Sequence, residues 1–63
     1  MFVQFPTSDG PIWIAVAKIV SVRPGNRDKS VSIVQTETKE FPIKKEVEEV
    51  VRILEEKVRL KGA

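Results

Sequence analysis

Phe41-Pro42-Ile43-Lys44-Lys45-Glu46-Val47-Glu48-Glu49-Val50-Val51 is the stretch on which the fold turns, because the hydrophobic period changes inside it. Up to Ile43 the apolar residues stand two apart, as in a strand. From Glu46 onward Val47, Val50, Val51, Leu54 and Val58 follow i, i+3, i+4, i+7, i+11, the single stripe of an amphipathic helix. The pattern predicts an edge strand over residues 41–43, where Pro42 lacks one ladder donor, and a helix over about residues 45–60. Glu46, Glu48 and Glu49 fall in the first turn and Lys57, Arg59 and Lys61 in the last, which suits the helix dipole, and Gly62 is placed to stop the helix. Glu48 with Arg52 and Glu55 with Arg59 are i, i+4 pairs that mark a solvated face.

Upstream the chain is β-branched and punctuated by turns. Residues 2–5 read as a strand with Val3 and Phe5 on one face, ended by Pro6 and the turn cluster Thr7-Ser8-Asp9-Gly10. Ile12, Ile14 and Val16 alternate with Trp13 and Ala15, so the aliphatic face is expected inside and Trp13 on the other side. Residues 19–23 place Val20 and Val22 together before Pro24-Gly25-Asn26 stops the strand. In residues 30–36 the pattern puts Val31 and Ile33 inward and Ser30, Ser32 and Val34 outward. The expected fold is α+β: one domain over residues 1–63, a small twisted antiparallel sheet of four to five short strands packed on one C-terminal helix. Its expected core is Ile12, Ile14, Val20, Val22, Val31, Ile33, Phe41, Ile43, Val47, Val50, Val51 and Leu54.

With 63 residues, such a domain buries only about 60% of the surface its unfolded chain exposes, which leaves little core to support a strained catalytic pocket. The absence of His, Cys and Tyr excludes imidazole acid-base chemistry, thiol nucleophiles and His or Cys zinc sites, and leaves the small core without disulfide or metal staples. Dimerisation is the remaining common remedy, so a homodimer is expected. The helix carboxylates Glu46, Glu48, Glu49, Glu55 and Glu56 read as solvated charges, and neither an enzyme nor a cofactor nor a metal is implied. The longest apolar run, residues 12–17, is far short of the roughly 18 to 20 residues that span a bilayer, and no leader pattern opens the chain, so a cytoplasmic protein is expected.

Three features remain as candidate sites. Trp13, the only tryptophan, has three readings: a core residue, an intersubunit or partner contact, or a stacking platform for bases. Ile53 and Leu60 lie seven apart, roughly 120 to 140° from the middle of the helix stripe, and are either incidental exposure or a ridge that seals a dimer. Arg23, Arg27 and Lys29 surround a tight turn and could reach a phosphate, although a solvated loop has the same composition and Asp28 interrupts the cluster. Residues 1–45 carry seven Lys/Arg against four Asp/Glu, and residues 46–63 carry four against five, a shallow field for a nucleic-acid ligand.

The order of features resembles the small flagellar and swarming-motility proteins of the FlbD type. The likeness lies in Val3-x-Phe5 followed by Asp9-Gly10, in residues 12–17 leading to Lys18-Ile19-Val20-Ser21-Val22, in residues 30–34, and above all in residues 41–51. These are hydrophobic-pattern matches, so what the resemblance implies is the fold and a non-enzymatic accessory role in motility regulation with no assigned active site. Related sheet-plus-helix proteins also occur as small bacterial or phage reading frames. The functional expectation is a protein–protein interaction or regulatory module; the alternative is a nucleic-acid-binding regulator using the loop of residues 23–29, like the carbon-storage regulators that also place short strands before a C-terminal helix.

Overall fold

A computed structural model describes the backbone of residues 1–62 and side-chain surroundings through residue 58. Five antiparallel strands precede one helix: β1 (Phe2–Thr7), β2 (Gly10–Ala15), a 3-10 turn (Val16–Lys18), β3 (Ile19–Pro24), β4 (Ser32–Thr36), β5 (Glu40–Ile43) and α1 (Val47–Gly62). The strands form two sheets, a β1-β2 hairpin and a three-stranded sheet in the order β3-β4-β5. The 3-10 turn separates β2 from β3 and so divides what the sequence pattern presents as one sheet. Two backbone bonds tie the hairpin back to its surroundings: Lys44 N–H donates to the Pro6 carbonyl and Val16 N–H to the Met1 carbonyl, both at 2.9 Å.

Each part contributes to one core. Val3, Phe5 and Ile14 come from the hairpin, Val34 and Ile43 from the three-stranded sheet, and Val50 from the helix, with Ile12, Val16, Ile19, Val22, Phe41, Ile53 and Leu54 packed partly against them. The hairpin register pairs Val3 with Ile14 and Phe5 with Ile12, so the predicted inner faces of β1 and β2 meet. Its two-residue turn closes through Gly10 at φ +111°, a backbone region glycine enters without the penalty of a Cβ. Thr7 Oγ1 donates to the Gly10 carbonyl at 2.6 Å and accepts from Asp9 N–H at 3.2 Å. No helix among the described residues is long and apolar enough to cross a membrane.

Three faces differ from the periodicity. In β4 it is Ser32, Val34 and Thr36 that point inward, while Val31 and Ile33 are half-buried. Both hydroxyls find backbone partners: Ser32 Oγ donates to the Lys45 carbonyl at 2.6 Å and Thr36 Oγ1 to the Lys39 carbonyl at 3.1 Å. A buried hydroxyl that is satisfied costs little, so alternation of Ser with Val does not decide which face is buried. In β3 the register shifts between Ile19 and Ser21, a bulge that leaves Val20 exposed and brings Ile19 and Val22 to the core.

On α1 the buried residue is Val50, flanked by half-buried Ile53 and Leu54, whereas Val51 and Val58 are exposed and Val47 is half-buried. The docked face is therefore turned roughly 60 to 70° from the middle of the sequence stripe, at about 100° per residue. The bonds from Ser32 to Lys45 and from Lys44 to Pro6 anchor the chain just ahead of the helix, and the helix packs on β3 and β4 through Val50, Ile53 and Leu54.

Candidate functional site

The β1-β2 pairing sends alternate residues to opposite faces, and because Val3, Phe5 and Ile14 fill the core, Phe2, Gln4, Trp13 and Ala15 share the outer face. Phe2 stands opposite Ala15 and Trp13 opposite Gln4, which puts the two aromatic residues on a diagonal of that face, within reach of long side chains. Trp13 is 61% exposed and Phe2 63% exposed. Of the three readings of Trp13, the core reading is excluded: it is the aliphatic alternation of Ile12 and Ile14 that turns the indole outward. A groove of about 300 Å³ runs from Trp13 past Lys18 and Glu37 to Phe41, with Thr36 in its lining. Lys18 and Glu37 face each other across it at 4.0 Å, an exposed pair that adds little energy and leaves both charges accessible to a ligand.

Ile53, the described half of the expected Ile53/Leu60 ridge, packs partly against the core and so is turned toward the sheet. The Leu60 side chain lies outside the described residues. What periodicity missed is the exposure of Val51, expected in the core, and of Val58, on the same stripe, both left open by the rotation of the helix.

The basic cluster is not a unit. Arg23 lies on the outer face of the three-stranded sheet, where its guanidinium donates to Gln35 Oε1 at 2.9 Å and is paired with the Glu40 carboxylate. Glu40 stands opposite Gln35 in the register, and Arg23, opposite Ile33, reaches both on the diagonal. Arg27 and Lys29 are exposed in the loop beyond β3. Between them Asp28 accepts from both Ser30 Oγ, at 2.6 Å, and Ser30 N–H, at 2.9 Å. Those bonds, the hydroxyl first, hold its carboxyl below the ordinary carboxylate range, so it stays ionised beside the two cations. The loop closes through Gly25 N–H to the Val31 carbonyl at 2.8 Å and Val31 N–H to the Asp28 carbonyl at 3.1 Å.

A Cβ at Gly25 would lie 2.7 Å from the Asp28 carbonyl oxygen and 3.0 Å from that of Val31. Both obstacles are backbone, which cannot swing aside. Gly25→Ala is expected to lower stability by about 1 to 3 kcal/mol in thermal denaturation, while Asn26→Ala, at an exposed loop position, changes it by less than about 0.5 kcal/mol. Equal melting of the two variants would mean that the loop closes differently.

Among the described residues no group of three acidic, His or Cys side chains is arranged to hold a metal ion, and every buried side-chain nitrogen and oxygen has a hydrogen-bond partner. The features that stand out are therefore surfaces: the aromatic face of the hairpin and the open stripe of the helix. No protein-family model, curated protein or solved structure matches the chain.

Proposed function

We propose that the chain is a small non-enzymatic interaction module that docks a protein partner on the outer face of the β1-β2 hairpin, with Trp13 as the anchor. The observation that carries this reading is the exposure of Trp13 and Phe2 on one face, beside a groove that ends at Phe41. Single exposed aliphatics are ordinary, but tryptophan is enriched among the residues that dominate protein interfaces because it buries a large rigid area at small entropic cost. The resemblance to FlbD-type proteins supplies a setting for such a module, as a cytoplasmic accessory of motility. The nucleic-acid alternative has less support, since Arg23 is engaged by Gln35 and Glu40 and the loop retains an ionised Asp28.

Trp13 is the only tryptophan and there is no tyrosine, so the intrinsic fluorescence excited at the indole band reports that one side chain. In the free protein acrylamide is expected to quench it nearly as well as a free indole. The partner captured from the native host is expected to shield it. The double variant Phe2→Ser, Trp13→Ser should keep the wild-type melting temperature within a few degrees and lose that partner. Retention of the partner by the double variant, or loss of capture after Arg27→Ala with Lys29→Ala instead, would move the docking surface away from the hairpin.

A further inference from the structure

The open stripe on α1 has a spacing of its own. Val47, Val51, Leu54 and Val58 stand four, three and four apart, the spacing of one apolar seam along a helix, with valine and leucine alternating at its middle positions. Only Leu54 is shared with the domain core. Val51 is 39% and Val58 58% exposed, and Val51, Leu54 and Val58 line a shallow groove of about 500 Å³ beside Glu55. One residue further round the helix runs a parallel row of charges: Glu48, Arg52 and Glu55, all exposed, followed in the sequence by Arg59. The row reads minus, plus, minus, plus. Reversed, it reads plus, minus, plus, minus, so it is complementary to its own antiparallel copy.

We infer that this face is the contact for a second copy of the chain, with the two helices antiparallel about a two-fold axis near Leu54. A two-fold axis perpendicular to the helices brings both charge rows to the same side of the seam, with Glu55 of each copy toward Arg52 of the other. A parallel pair would leave the rows on opposite sides and unused. The helix is already ordered by its packing on β3 and β4, so the seam need not meet the nucleation cost that makes isolated short helices marginal. Four seam residues make a small contact, below about 1,200 Å², and the dimer is expected at roughly micromolar and higher concentrations. This surface is separate from the hairpin face, so each proposal can fail without the other.

The test is sedimentation of the full chain over a wide concentration range, with far-UV circular dichroism to verify the helix in every variant. The wild type is expected to pass from monomer to dimer. Arg52→Glu alone and Glu55→Arg alone each set like charges against each other across the axis and are expected to weaken the dimer roughly five- to thirtyfold. An equimolar mixture of the two variants restores opposite charges at both contacts and should recover wild-type association as a heterodimer. Should either variant lose helix, Arg52→Gln and Glu55→Gln take their place, and each must weaken the dimer. Monomer mass at every concentration, a dimer indifferent to these substitutions, or a mixture no stronger than its components would overturn the inference.

Discussion

Phe5→Ala is expected to abolish cooperative folding at room temperature. Phe5 is the largest of the fully buried side chains, and its removal empties the middle of a core with only five other buried hydrophobic residues among those described. Phe-to-Ala substitutions in cores cost about 3 to 5 kcal/mol. At roughly 0.05 to 0.15 kcal/mol per residue, a chain of this length has only about 3 to 9 kcal/mol in total, so the loss is comparable to everything available. Phe2→Ala, three residues earlier on the outer face, is the matched control and should change stability by less than about 0.5 kcal/mol. Urea denaturation followed by circular dichroism separates the two. If Phe5→Ala melts cooperatively within about 1 kcal/mol of the wild type, the hairpin does not carry the core.

Val50→Asp and Val51→Asp should differ by several kcal/mol although the residues are neighbours in sequence. Val50 is closed to solvent, so an aspartate there either buries a carboxylate with no partner or detaches the helix from β3 and β4. The cost is expected at about 3 to 5 kcal/mol. At Val51, more than a third exposed, the same change loses only part of one apolar side chain's burial, about 0.5 to 1 kcal/mol in the monomer, since valine and aspartate have similar helix propensities. Denaturant titration of both variants at low protein concentration, where association does not contribute, reads the difference. Similar losses at the two positions would mean that the helix docks along the stripe that periodicity alone suggests, and that the seam of Val47, Val51, Leu54 and Val58 is not free.

Turn and period signals account for what could be read directly. Gly10 and the Pro24-Gly25 stop delimit strands because glycine and proline release or restrict the backbone locally, whereas Pro6, expected to end the first strand, lies within β1 and Pro42 within the edge strand β5. The change of period after Ile43 marks the strand-to-helix junction for the same local reason, and the α+β class follows from it, expected as one sheet of four to five strands on one helix where the structure has five strands in two sheets. The alternation of Ile12 and Ile14 set Trp13 on the opposite face, but that this face is left uncovered, and not core, is seen only in the folded hairpin.

Which face of each later element is buried was decided by tertiary contacts. Ser32 is satisfied in the core by the Lys45 carbonyl, thirteen residues further on, whereas Thr36 finds its partner in the Lys39 carbonyl within the adjoining β4–β5 turn. The bulge between Ile19 and Ser21 exposes Val20 through pairing with β4, which no window along β3 contains. The rotation of α1 goes with the packing of Val50, Ile53 and Leu54 on β3 and β4, strands that no window along the helix contains. Chain-local sterics and hydrophobic period are properties of neighbours in sequence and determine where elements begin, end and what they are. The facing of an element depends on whether its polar atoms find partners elsewhere, and that is settled only when the distant strands and the helix come together.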